Sequence, residues 1–197
     1  MTGSGPARHA TPTRILHWLI AAMVFSTLIV GYTMINSLGN YSTLLLVHKS
    51  LGVAILTLMV LRVINRFTQR LPAFPATVGP REKKFVVVSE RSMYTLLFAQ
   101  PLVGWAMVSA SGIPVVIFGS VQLPRIAPFD ATLFGVLRQT HTILAYCLLV
   151  IIAVHVSVIL LHSVTLRDGM LSRMTFRLLR AGADGGGESQ TDERSGT

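Results

Sequence analysis

The chain has 197 residues, of which 51% are apolar and only 13% are charged. A soluble domain usually carries about 25% charged residues, so the composition argues against an ordinary soluble globular fold. The net charge of +9 would suit a nucleic-acid-binding protein. Its basic residues instead cluster beside the ends of apolar segments, which is typical of membrane topology. We therefore expect membrane lipid, and no nucleic acid, as a partner.

Four apolar segments predict the fold class, an all-α membrane-spanning four-helix bundle. In chain order they are Ile15–Ile35, Leu44–Ile64, Tyr94–Ala110 and Thr140–Leu161. Each is long enough to cross a bilayer as a helix. The first is too long for the apolar part of a typical signal peptide, so we expect it to be retained.

The predicted organisation is one transmembrane domain, residues 14–174, between an N-terminal tail of residues 1–13 and a C-terminal tail of residues 175–197. The second tail is rich in Gly, Ser, Asp and Glu and is predicted to be disordered. Fourteen of the 17 basic residues fall on the side of the two tails. Because basic residues favour the cytoplasmic side, both termini are predicted to be cytoplasmic.

The outer connection between the third and fourth segments, Ser111–Leu137, is long and contains three prolines. Its apolar stretch Val115–Val121 is predicted either to cover a site at the membrane surface or to be an ordinary interfacial loop. Three small residues, Gly31, Gly52 and Gly104, lie within the apolar segments. They provide room either for a porphyrin or for a neighbouring helix.

Four histidines lie at two depths of this bundle. His141 and His155 are fourteen residues apart on the last segment, so both face one side of a helix about 21 Å apart. His17 and His48 lie near the ends of two other segments, and depth pairs His17 with His155 and His48 with His141. This pattern predicts two bis-histidine haems, bound non-covalently as haem b because no C-x-x-C-H motif is present. Such haems transfer electrons and have no open position for oxygen.

Other roles for these histidines were weighed. A single membrane histidine can make a hydrogen bond between helices. A zinc site needs its ligands at one depth, whereas the two groups lie about 20 Å apart. His162, two turns after His155, either contacts a haem propionate or a quinone and transfers a proton, or is a solvated interfacial residue.

Five segments carry a resemblance to the bacterial cytochrome b561 family, which covers about Thr13–Met174. They are R-I-L-H-W at 14–18, H-K-S-L-G at 48–52, P-L-V-G-W at 101–105, H-T-I-L-A-Y at 141–146 and H-S-V-T-L-R-D-G-M-L-S-R-M at 162–174. The resemblance implies a multi-pass protein of the bacterial inner membrane in which the four histidines are axial ligands of two haems b. Many relatives carry a second histidine where this chain has Ser163.

The resemblance also implies the function, since one branch of the family oxidises superoxide and reduces ubiquinone. We expect electron transfer between a periplasmic-side donor, superoxide, and membrane ubiquinone. Lys49 and Arg138 either steer superoxide to the outer haem or contact headgroups and propionates. At the cytoplasmic end His162, Arg14 and Arg62 are expected to bind quinone or a haem propionate. The alternative is a cytochrome b subunit that serves a dehydrogenase or hydrogenase partner; homodimer formation is left open.

Overall fold

The structure, a computed structural model, describes residues 11–37, 39–68 and 79–161. Within these ranges the chain forms four long helices and one short hairpin. The elements are α1 (Thr11–Asn36), α2 (Tyr41–Thr68), α3 (Pro80–Ala110), β1 (Val115–Ile117), β2 (Val121–Leu123) and α4 (Ala131–Leu161). All four helices are long and apolar enough to cross a membrane. The four predicted helices are therefore confirmed, while the side on which the termini lie stays a prediction.

Two helices begin well before the apolar segments that predicted them. α3 begins at Pro80, and proline suits the first turn of a helix because its missing N–H would have no partner there. α4 begins at Ala131, where the Asp130 carboxylate accepts a hydrogen bond from the Leu133 N–H at 2.8 Å and caps the helix. The outer connection is therefore shorter than predicted, since residues 131–137 are helical.

The helices pack in chain order, with the closest backbone contacts between α1 and α2, α2 and α3, and α3 and α4. A buried apolar cluster joins all four of them. It contains Ile20, Val24, Ile55, Met59, Leu97, Leu148 and Ile152. Large apolar side chains such as Ile29, Val60 and Val150 lie exposed on the outside of the bundle. An apolar exterior around an apolar core is the arrangement that lipid surroundings require.

One heptad register runs through the four helices and divides the bundle into three layers. The middle layer is Val24, Ile55, Leu97 and Leu148, one buried residue from each helix. Seven residues away along each helix on one side lies the outer layer, Gly31, His48, Gly104 and His141. Seven residues away on the other side lies the inner layer, His17, Arg62, Glu90 and His155. Seven residues are close to two helical turns, so each helix presents one continuous seam to its neighbours.

The hairpin was not predicted from the sequence. β1 and β2 pair antiparallel, with Val115 opposite Leu123 and Ile117 opposite Val121. The side chains of Val115 and Ile117 are buried, and β1 packs against α2 and α3. The Phe118 N–H donates a hydrogen bond to Ser50 Oγ at 2.8 Å, two residues after His48. The hairpin therefore covers α2 beside the outer layer, and the fold is mostly helical rather than purely α.

Candidate haem sites

The outer layer brings two histidines close together across the bundle. The ring centroids of His48 on α2 and His141 on α4 are 6.2 Å apart, and the ring planes are inclined by 75°. The sequence offered these two residues from segments more than ninety positions apart, and only the packing of the helices determines their separation. Two imidazoles at this distance leave room for one metal ion between them, because metal–imidazole nitrogen bonds of about 2 Å separate opposed ring centres by roughly 6 Å.

The two glycines of the outer layer lie against these rings. A Cβ atom on Gly104 would stand 3.0 Å from His141 Cε1, and one on Gly31 would stand 3.2 Å from His48 Cε1. Contacts this short force the ring to move. Glycine at these two positions therefore lets α1 and α3 approach the histidines, whereas Gly52 has nothing within 4 Å of its Cβ position.

Each outer imidazole has one buried nitrogen without a partner among the described residues. The His48 ring lies near the backbone of Thr27. His141 Nε2 lies 3.3 Å from the Gln100 amide nitrogen, which also donates to the His141 carbonyl at 3.2 Å. The Nδ1 atoms of both rings are buried with no hydrogen-bond partner among the described residues. Buried polar atoms without a partner are uncommon and mark a place for a further ligand.

The inner layer differs from the outer one because it contains charges. Arg62 and Glu90 both act electrostatically on His155. Arg62 Nε donates a hydrogen bond to the Tyr94 hydroxyl at 2.9 Å. One turn further along α2, Arg66 forms a two-point ion pair with Glu90.

The helix directions follow from these two layers. His48 lies beside His141, and fourteen residues later on each helix Arg62 lies near His155. α2 and α4 therefore run in the same direction, as alternate crossings of a membrane do. His17 belongs to the same inner layer by its heptad position on α1, where its ring packs against Trp18 with centroids 5.7 Å apart. Its pairing with His155 rests on this register.

The remaining predicted site residues lie at the two ends of the bundle. Lys49 is half-buried next to His48, and Arg138 is exposed three residues before His141. Arg14 is buried one turn before His17. His162 lies outside the described residues.

Sequence reasoning missed Gln100, Tyr94 and Glu90. The heptad register could have found Glu90, because it stands fourteen residues before Gly104 as Arg62 stands fourteen after His48. Gln100 and Tyr94 gave no such signal, since their partners come from other helices.

Comparison with known proteins identifies the family. The sequence pattern described as prokaryotic cytochrome b561 matches residues 8–177. The chain belongs to this family. It is 27% identical over 172 residues to cytochrome b561 homolog 2 of Escherichia coli (strain K12), covering 86% of this chain and 92% of that protein. It is also 27% identical over 164 residues to the probable superoxide oxidase CybB of Yersinia pestis, covering 81% of this chain and 90% of that protein.

This cytochrome b561 is a multi-pass bacterial membrane protein, and its family implies haem b as the cofactor. The outer layer fits that group on three observations: the separation of the two imidazoles, their unpartnered buried nitrogens, and the glycines beside them. Within residues 11–37, 39–68 and 79–161, no three His, Cys, Asp or Glu side chains converge as metal ligands. Two opposed imidazoles suit a metal whose other ligands come from a porphyrin.

Proposed function

We propose that this cytochrome b561 holds two haems b in the bacterial inner membrane and transfers electrons from superoxide, on the periplasmic side, to ubiquinone. The opposed pair of His48 and His141 is the observation that carries the proposal. His155 follows His141 by fourteen residues on α4, and we pair it with His17, which has the corresponding heptad position on α1, in the inner layer. When bound, haem b accepts and releases one electron at a time.

The reaction balances as a two-electron process. Two superoxide anions each lose one electron and become dioxygen. The two electrons, with two protons, convert one ubiquinone to ubiquinol. The likeness to a protein named probable superoxide oxidase supports this choice of donor.

The outer end of the bundle offers cations to an approaching anion. Lys49 directly follows His48 on α2, and Arg138 is exposed one turn before His141 on α4. Cations beside a reactive layer raise the local concentration of an anionic substrate and its rate of encounter. The hairpin is anchored to Ser50, two residues after His48, and therefore lies beside this layer.

Quinone reduction is assigned to the opposite end, near Arg14, Arg62 and His162. Arg62 Nη1 is buried and has no hydrogen-bond partner among the described residues, so it can donate to a quinone carbonyl or a propionate. His162 follows His155 by seven residues and would supply a proton there, since imidazole titrates near neutral pH. The positive-inside pattern of Lys and Arg supports the cytoplasmic position of this end and of both termini.

The test is superoxide decay catalysed by purified, haem-replete protein with a soluble ubiquinone. We expect fast decay that requires the quinone, with one ubiquinol recovered for every two superoxide anions consumed. A double variant, His48→Ala with His141→Ala, is the control. In its presence superoxide should decay at the background rate. Background decay by the haem-replete wild type would reject superoxide as donor. Co-purification with a dehydrogenase or hydrogenase that reduces the haem would then assign the chain as an electron-transfer subunit.

A further inference from the structure

The two histidine layers differ in charge. In the outer layer the described contacts of the His48 and His141 rings with other residues are those with Gly31, Gly104, Gln100 and the backbone of Thr27, all uncharged. In the inner layer α2 contributes Arg62 and α3 contributes Glu90 at the corresponding heptad positions. A charge within a low-dielectric bundle acts on its neighbours far more strongly than a charge in water.

Arg62 is held in place at the inner layer. Its Nε donates to the Tyr94 hydroxyl at 2.9 Å, and its guanidinium carbon lies 5.7 Å from the centre of the Tyr94 ring. This contact fixes the position of Arg62 through a hydroxyl and a ring, without an ion pair to an acid among the described residues. The electrostatic effect of Arg62 reaches His155 on the neighbouring helix.

The acid of the inner layer is already paired with a different cation. Glu90 binds Arg66 through both carboxylate oxygens, so part of its charge is offset, and what remains acts on His155 with the sign opposite to that of Arg62. Arg14 adds a further buried cation one turn before His17. Among the described residues no acid forms an ion pair with Arg62 at the inner layer. At the outer end Lys49 is half-buried and Arg138 is exposed, so solvent weakens the effect of both charges.

We propose that Arg62 raises the electron affinity of the redox group held at the inner layer, so that an electron resides preferentially at the inner end of the bundle. Arg62 acts here through its positive charge and does not bind a metal ion. A fixed cation stabilises the reduced state because reduction adds one negative charge. This inference rests on the proposed function, since it requires one redox group at each layer, and it gives the transfer a direction from the superoxide end to the quinone end.

The test is a spectroscopic redox titration of the purified holoprotein without quinone, for wild type and for Arg62→Gln. We expect the inner couple of the variant to become harder to reduce, with at least a tenfold change in electron partition between the layers. That change equals about 59 mV for a one-electron couple. The midpoint potential of the outer couple should not change. Arg62→Lys should restore most of the shift because it keeps the charge.

Two further variants complete the design. Arg91→Gln removes an exposed cation from the neighbouring part of α3 and should leave both couples unchanged. Glu90→Gln leaves Arg66 without its acid and should move the inner couple in the opposite direction, which keeps the test decisive if Arg62→Gln does not bind haem. Two wild-type couples that Arg62→Gln leaves unmoved, or shifts equally, would overturn this inference alone. A single wild-type couple with two haems per chain would also overturn this inference alone, whereas one haem per chain would overturn the dihaem proposal as well.

Discussion

The imidazole rings of His48 and His141 lie 6.2 Å apart between centroids, although ninety-two residues of chain separate them. Each ring is packed against a glycine of a different helix, Gly31 for His48 and Gly104 for His141. All four helices therefore contribute to the outer layer, two with histidines and two with the space that the histidine rings occupy. A disturbance at any of the four positions should affect the cofactor at this layer.

Gly104→Ala should damage the outer site. Its Cβ would stand 3.0 Å from His141 Cε1, so the ring must shift. Overpacking of this kind destabilises by about 1–3 kcal/mol. We expect a shifted or reduced outer haem signal in reduced-minus-oxidised spectra. Gly52→Ala and Gly135→Ala are matched controls with nothing within 4 Å, and each should gain up to about 1 kcal/mol from helix propensity. An unchanged spectrum in Gly104→Ala would show that the ring does not lie where we describe it.

Superoxide consumption should slow when the outer cations are reversed. Lys49→Glu with Arg138→Glu replaces an attractive field by a repulsive one, and steering effects on encounter rates commonly reach about tenfold or more. We expect at least a tenfold lower rate at low salt, approaching the wild-type rate as salt rises. Haem content should stay normal. Arg81→Glu, an exposed cation at the other end, is the control. A wild-type rate with unchanged salt dependence would remove steering from the account.

The hairpin should loosen when Ser50 is replaced by alanine. Ser50 Oγ accepts the Phe118 N–H at 2.8 Å and is 8% exposed as a residue, so the variant leaves that amide without its partner. We expect a loss of about 1 kcal/mol and faster hydrogen exchange at Phe118. Ser26→Ala is the control, because its hydroxyl bonds only to a carbonyl within α1. Equal rates of hydrogen exchange at Phe118 in Ser50→Ala and wild type would mean that the packing of β1 against the helices holds the hairpin without this hydrogen bond.

His162→Ala should separate quinone reduction from haem binding. The residue follows His155 by seven positions in the sequence, and we assign it to proton supply at the cytoplasmic end. We expect ubiquinol formation to fall about tenfold, within the usual range for loss of a proton donor, while both haem spectra stay intact. Full turnover by the variant would place quinone reduction elsewhere.

Sequence alone predicted the helices and the histidines because both follow from local periodicity. Long apolar runs specify membrane helices, and a spacing of fourteen residues specifies one face of a helix. The sequence could not decide whether Gly31 and Gly104 provide room for a porphyrin or for a neighbouring helix. The distance from a glycine to a ring on another helix depends on packing. The structure puts both glycines against the outer histidines.

Other features were out of reach for different physical reasons. The hairpin strands have three residues each, too few for an alternating pattern to stand out, and their stability comes from burial of Val115 and Ile117 against the helices. The ends of α3 and α4 depend on Pro80 and on the Asp130 cap, which lie outside the apolar windows. The tyrosine contact of Arg62 joins α2 to α3 and has no signature within either segment.

The measurement that tests the central claim most directly is the number of haems bound per chain, in wild type and in single histidine variants. The account predicts two haems b in wild type. It predicts one in His48→Ala or His141→Ala, with the inner signal retained, and one in His17→Ala or His155→Ala, with the outer signal retained. A single haem in wild type, or loss of the same haem in all four variants, would contradict it.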